Sequence, residues 1–256
     1  MPNYTYQNDF LDLYSKEMLD AGMRGQKANR IISVLSDNFS GSLDRLAVLD
    51  IGCSSGIMAD IISSKVDKVV GIDIDKKAIE YAKKTYQRKN LCFEVQDSMG
   101  LKFTDNSFDV VICAHVYEHV PDCHKLMSEI YRVLKPGGVC YFAAANRLTL
   151  IEAHYKLPLL SIIPKSFAHL YLRLLNKGKF YYENHLSLWG LRKLVSRFEI
   201  TDYTAKIIED PHKYYATEMV KDRSFKQKIA RFVCRGFYWL FPSYIWLLRK
   251  KGSIEQ

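Results

Sequence analysis

Leu49-Asp50-Ile51-Gly52-Cys53-Ser54-Ser55-Gly56 lies between an apolar run, RLAVL, and an amphipathic one, IMADIISSK. A glycine-bearing turn from strand to helix is where α/β proteins seat nucleotides, because glycine puts no Cβ between backbone and ligand. Two features narrow the ligand. The string is not GxGxxG, and Asp50 precedes the first glycine. A carboxylate there repels a pyrophosphate and suits a ligand carrying positive charge, such as an amino group. A dinucleotide-dependent dehydrogenase, the main rival on fold grounds, is therefore disfavoured.

Outward from this turn, short apolar runs alternate with amphipathic helices: RLAVLDI, IMADIISSK, KVVGIDI, KKAIEYAKKTY, LCFEV, SFDVVICA, HKLMSEIYRVL and VCYFAAA. That alternation predicts βαβ units around a buried parallel sheet, an α/β fold. Pro136-Gly137-Gly138 is expected to turn the last helix into its strand. The block ends near Asn146. Before it, Phe10, Leu11, Tyr14 and Met18, then Ala28, Ile31, Ile32 and Leu35, recur at helical spacing until Ser40-Gly41-Ser42. After it, Pro158 and Pro164 break an insertion, Ser187 reads as a helix N-cap, and FEITDYTAKI reads as a strand. Residues 221–241 read as an amphipathic helix with Phe225, Ile229, Phe232, Val233, Phe237 and Leu240 on one face, and YIWLLRKK as a last strand. The expected organisation is one domain over 1–256. Residues 1–44 would form an N-terminal helical lid and 45–146 the cofactor-binding core. Residues 147–186 and 208–242 would be helical insertions on the acceptor side.

The chain has 256 residues, 48% of them hydrophobic and 25% charged, which is a globular composition. MPNYTYQNDF has no basic region followed by an apolar run, so no cleaved signal peptide is expected. Six cysteines without a CxxC pair are expected to be buried free thiols in a reducing compartment, which suggests a cytoplasmic location. The formal net charge of +9 favours anionic partners: nucleic acid, membrane surface or phosphorylated small molecules. No cluster with metal-ligand spacing is visible; Cys123-His124 are merely adjacent.

Candidate ligand groups fall at the ends of successive predicted strands. Asp50, Gly52, Cys53, Ser54 and Gly56 follow the first. Asp73, with Ile74 after it, ends the second, about twenty residues on, where a carboxylate can accept both ribose hydroxyls. Asp97 and Ser98 follow the third, and a carboxylate there can accept an exocyclic amine. Ala114 to His119 follow the fourth.

LDIGCSSG, VVGIDID, QDSMGLKFTDNSFDVVICAHVYEHVPD and EIYRVLKPGG, in that order, resemble the class I S-adenosylmethionine-dependent methyltransferases over about residues 45–146. The resemblance implies a Rossmann-like seven-stranded sheet, mostly parallel with the last strand antiparallel and helices on both faces. YIWLLRKK would be that strand, with Trp246 and Leu247 in the sheet core. It also implies that Asp50 and the Gly52–Gly56 turn face the methionine part of S-adenosylmethionine. Asp73 would hold the ribose, Asp97 and Ser98 the adenine, and the Ala114 backbone would lie near the methionine moiety. Two departures stand out: Ser54 where the family often has glycine, and Leu101-Lys102-Phe103 where it often has LPF.

The cofactor is an activated methyl donor, so the protein must align it with a nucleophile and, for a hydroxyl acceptor, supply a base. His119, among His115, Glu118 and His119 after the fourth strand, is one candidate, and Glu152 and His154 in IEAHYKL after the fifth are others; His185 in ENHLS can join them. The place after the fourth strand reads AHVY and lacks the Asn/Asp-Pro-Pro-aromatic motif of amine-directed nucleic-acid methyltransferases, so no nucleic-acid partner is expected. NRLTLIEAHYKLPLLSIIP, ENHLS and IWLLRK resemble, more loosely, bacterial methyltransferases of surface-polysaccharide or lipid-linked glycan pathways. That resemblance implies O-methylation of a small-molecule, glycan or lipid-linked acceptor. Quinone-ring methylation is the alternative, and a non-catalytic cofactor-binding partner subunit is a second. Basic residues interleaved with aromatics over 221–251 suit peripheral contact with an anionic membrane, as does the LPLLSIIP loop.

Overall fold

The computed structural model describes residues 11 and 14–251. The apolar runs become strands wherever they alternate faces. β1 (Ala47–Ile51), β2 (Lys68–Asp73), β3 (Leu91–Val95), β4 (Phe108–Ala114), β5 (Leu134–Ala145), β6 (Phe198–Asp202) and β7 (Ser243–Lys250) form one sheet in the order β3-β2-β1-β4-β5-β7-β6. β1 to β5 run parallel, and β7 pairs antiparallel with both β5 and β6. Alternate residues of the central strands serve two cores, as a two-sided sheet requires. Val48, Val69 and Ile112 pack with Ala28, Ile31, Ile62 and Ile79. Leu49, Ile72 and Val111 pack with Leu126, Ile130 and Leu191 on the opposite side. Trp246 and Leu247 are sheet core, 1% and 2% exposed.

The helices are α1 (Ser15–Met18), α2 (Ala21–Asn38), α3 (Ile57–Ser63), α4 (Lys76–Thr85), α5 (Cys123–Val133), α6 (Lys165–Leu174), α7 (Leu188–Leu194), α8 (Thr204–Glu209) and α9 (Phe225–Gly236). Side-chain caps explain their starts: Asp20, Asp75, Asp122, Ser187 and Ser224 each accept a backbone N–H of the first turn. Cys123-His124 is thus simply the opening of α5. Of the helical reading over Phe10 to Met18, Leu11 and α1 are helical while Tyr14 is a turn before α1; Phe10 lies outside the described residues.

Several expectations need correction. The FEITDYTAKI strand stops at Asp202, whose carboxylate accepts the Thr204 N–H, and α8 follows. Pro136-Gly137-Gly138 lies within β5 as an irregularity, with Phe108 opposite Leu134 but Val110 opposite Val139. Of the six cysteines, Cys53, Cys113 and Cys140 are buried, Cys123 and Cys234 half-buried, and Cys92 exposed. The helix expected over 221–241 is α9 followed by one short turn, Tyr238–Leu240. Its apolar face is turned outward. α9 docks on α8 through polar groups, with Gln227 Nε2 donating to the Ile208 carbonyl and Arg231 to that of Glu209. Phe225, Ile229, Phe232 and Phe237 therefore face outward. Conversely, LPLLSIIP packs inward through Leu157, Leu160 and Ser161, leaving Leu159 exposed. No helix among the described residues is long and apolar enough to cross a membrane.

Candidate active site

Because β1 to β5 are parallel, their carboxyl ends share one edge of the sheet. The chain runs from β1 outward to β3, then crosses back to β4, so the crevice opens beside β1. Asp50 with the Gly52–Gly56 turn, Asp73 with Ile74, Asp97 with Ser98, and Ala114 all meet at this edge, on adjacent strand ends.

The turn is tied down from below: the N–H groups of Gly52 and Cys53 both donate to the Ile72 carbonyl, at 2.8 and 3.0 Å. Gly52, Ser54 and Gly56 take positive φ of 71°, 51° and 82°. Ser54 thus adopts the conformation that a glycine at that position would favour, and its N–H donates to Asp73 Oδ2 at 2.8 Å. Asp73 Oδ1 accepts the Asp75 N–H at 2.9 Å, and Asp97 Oδ1 accepts the Met99 N–H at 2.8 Å. Each carboxylate oxygen keeps acceptor capacity for a ligand. Asp50 is different. It is 1% exposed, and its Oδ2 has no hydrogen-bond partner. Burial pushes its carboxyl up to about 7, against the pull of Arg24. An orphaned buried carboxylate facing a crevice fits a cationic ligand group, which is what the amino group of S-adenosylmethionine supplies.

Arg24, which sequence reasoning missed, comes from α2 and carries its charge toward Asp50 and Asp73; burial depresses its own pKa. It donates toward the sulfurs of Met18 and Met58. Ser55 Oγ donates to the Met18 carbonyl at 2.6 Å, so α1 lies against the glycine turn.

The second half of the site gathers after β4 and β5. The AHVYEH loop is held by Tyr117, whose buried hydroxyl donates to the Ala145 carbonyl at 2.6 Å and accepts the Leu186 N–H at 3.1 Å. The Asn184 N–H donates to the Glu118 carbonyl at 2.7 Å, bringing ENHLS alongside. Glu152 is fully buried. Its Oε2 accepts the N–H groups of His154 and Tyr155, both at 2.8 Å, and its Oε1 lies 2.7 Å from His154 Nδ1. The His119 and His154 rings meet edge-on with centroids 4.9 Å apart, so the three residues singled out from sequence do come together. His185 joins them, its Nδ1 2.9 Å from the Tyr181 hydroxyl. His115 Nδ1 sits 3.4 Å from Glu118 Oε1.

The electrostatics divide these groups. Burial depresses His119 to about 4, outweighing Glu118, and burial lowers His185 too. His154 is raised: burial opposes its charge, but the hydrogen bond to Glu152 and the nearby Glu183 win. Burial alone would raise Glu118, yet His115, His119 and His185 hold it down at about 2. Glu183, also missed from sequence, is 1% exposed and raised by burial. His119, His154 and Glu183 offer ligand atoms within 4.8 Å of one another, as do Glu152, His154 and His185.

Comparison with known proteins fits this geometry. A family model described as a methyltransferase domain matches residues 49–142. Residues 49–142 of this chain are a methyltransferase domain. A ubiquinone biosynthesis O-methyltransferase of Coxiella burnetii is 29% identical over 57% of this chain and 64% of its own length. A demethylmenaquinone methyltransferase of Lactococcus lactis is 33% identical over 48% of this chain and 52% of its own. The chain thus spans about half to two thirds of the curated relatives that it matches. An S-adenosylmethionine-dependent methyltransferase from Mesorhizobium loti shares the fold of the methyltransferase domain, with a TM-score of 0.54 at 17% identity over 81% of this chain and 92% of that one.

Proposed function

We propose that this chain transfers the methyl group of S-adenosylmethionine to a hydroxyl oxygen of a small-molecule, glycan or lipid-linked acceptor. The observation that carries this reading is the buried Glu152–His154 pair facing His119 at the same sheet edge as Ala114. Methyl transfer to oxygen releases a proton, and imidazoles held in place by carboxylates are suited to take it. Asp50 and the Gly52–Gly56 turn would hold the methionine end, Asp73 and Ile74 the ribose, Asp97 and Ser98 the adenine. A quinone-ring acceptor is the second reading, favoured by the names of the matching relatives. The test is transfer of labelled methyl from S-adenosylmethionine into fractionated glycan, lipid and quinone-precursor pools. Label in a hydroxyl-derived ether outside the quinone-precursor pool supports the proposal. Label in the quinone-precursor pool, on oxygen or on a ring carbon, replaces it with the second reading. No label in any pool, with S-adenosylhomocysteine still bound, favours a non-catalytic partner subunit.

Asp50 gives the cofactor assignment a pH signature. Its folded pKa lies above the unfolded value of about 3.9. Without ligand, its contribution to stability is full below pH ~4 and is lost as pH rises toward 7, because the unfolded chain ionises first. A cationic ligand group reverses the preference by selecting the carboxylate. S-adenosylhomocysteine binding is expected to tighten up to tenfold per unit from pH ~5 to ~7, about 1.4 kcal/mol per unit, and then level off. Calorimetric titration across that range checks it. The D50N variant should bind weakly with no slope, and a flat wild-type profile, or preference for NAD, overturns the assignment.

We also propose that α9 rests on an anionic membrane surface, keeping the chain peripheral rather than spanning. Phe225 and Phe232, 78% and 66% exposed, project from a helix that also carries exposed Lys226, Lys228 and Arg235. Apolar side chains outward with cations beside them match a charged bilayer interface. Vesicles of phosphatidylglycerol and phosphatidylcholine should co-sediment the protein at low salt. At about 1.5–3 kcal/mol per buried phenylalanine, F225S with F232S should weaken this at least tenfold. Equal recovery in the supernatant with and without anionic lipid removes the idea.

A further inference from the structure

We propose that His119, His154 and Glu183 form a binding site for one first-row transition-metal dication of the zinc type. Spacing along the chain hides this site: the three residues belong to three separate segments, the loop after β4, the loop after β5 and the segment before α7. The fold places one ligand atom from each within 4.8 Å of the others. Tetrahedral ligands at about 2.1 Å from a metal lie roughly 3.4 Å apart, so small side-chain rotations close the set.

Three observations select this set. First, Glu183 is 1% exposed and neither of its carboxylate oxygens makes a hydrogen bond to another residue. A carboxyl so placed must either keep a proton or pair with a cation, and a metal shared with two imidazoles satisfies it. Second, the other possible trio uses Glu152, whose two oxygens already serve two backbone N–H groups and His154 Nδ1. Third, that engagement leaves Nε2 of His154 as its free ligand atom. A carboxylate holding the far nitrogen of a ligating imidazole is the usual outer support of a metal site. His185, held by the Tyr181 hydroxyl, stands beside the trio and does not complete it. Two imidazoles and one carboxylate select zinc, cobalt or iron over magnesium or calcium, which favour oxygen-rich sites. Three protein ligands leave a coordination position for an acceptor oxygen; only that use rests on the transfer reading.

Cobalt(II) and zinc are the probes. Wild-type protein, stripped with chelator, should bind one equivalent of cobalt with visible d–d absorption, displaced by zinc and not by magnesium. E183Q and H154A should lose that spectrum, and E152Q should weaken zinc about 10–100-fold through the outer support. S-adenosylhomocysteine binding should stay unchanged in E183Q, which shows that the chain is folded. Absence of stoichiometric cobalt binding in the wild type, or an unaltered spectrum in E183Q, overturns the site. Where either of those results accompanies methyl transfer, the site falls and the transfer reading stands. One-to-one metal binding with no transfer to any acceptor supports the site and removes the transfer reading instead.

Discussion

Glu152→Ala lowers methyl transfer by about 10²–10⁴-fold, the range of a positioned proton-transfer group, while S-adenosylhomocysteine binds as before. The size follows from what the carboxylate holds. Its Oε2 accepts two backbone N–H groups and its Oε1 lies 2.7 Å from His154 Nδ1, all in a fully buried position. Alanine leaves those donors unpaired and frees the imidazole to rotate away from His119, and a misplaced reacting geometry costs orders of magnitude. The cofactor groups sit on different strand ends, from β1 to β4, so their binding is insulated from the change. His154→Ala should match Glu152→Ala, because the two act as one unit and their losses do not add. Glu152→Gln, which keeps an oxygen for the imidazole but presents N–H to the backbone donors, should fall between. Single-turnover assays with labelled cofactor, alongside melting curves, decide this. Full transfer in both alanine variants removes the Glu152–His154 pair from the chemistry.

The strand-end half of the candidate site was legible in its placement because its residues sit on consecutive strand ends, where order along the chain becomes neighbourhood in space. Asp50, Asp73, Asp97 and Ala114 could be placed from the alternation alone. Arg24 could not, since a cation on an amphipathic helix looks solvent-facing until the helix is docked. The acceptor half depends on loops, whose folding no periodicity encodes. Even so, a signal was present. Glu152-Ala153-His154 and Glu183-Asn184-His185 repeat the same Glu-x-His spacing in the two segments that come together. α9 shows what periodicity leaves open: its 3.6-residue apolar stripe is real, but periodicity does not say which side is buried. Gln227 and Arg231, ordinary surface residues by type, make the docking contacts with α8.

Gly56→Ala destabilises the domain by about 2–5 kcal/mol even with no ligand present, combining about 1–2 kcal/mol for a left-handed backbone with about 1–3 for overpacking. Two observations set the magnitude. Gly56 has φ of 82°, and a Cβ there would lie 2.7 Å from Phe93 Cζ and 2.8 Å from Ala82 Cβ. Both neighbours are core, 4% and 0% exposed, on β3 and α4, so neither can give way without shifting an element. A loss of that size is a large part of the roughly 5–15 kcal/mol that holds a domain together. At about 2–4 °C per kcal/mol it lowers the melting temperature by about 4–20 °C. Urea unfolding with S-adenosylhomocysteine absent measures it. Gly236→Ala, at a site with no atom within 4 Å of the added Cβ, is the control and should stay within about 0.5 kcal/mol, as for a neutral surface change. If Gly56→Ala also unfolds like the wild type, the turn is shaped for the ligand alone. The expected loss means instead that the glycine is required by packing between β3, α4 and the turn. The tight strand-to-helix corner then comes first, and the crevice that receives the cofactor is its consequence.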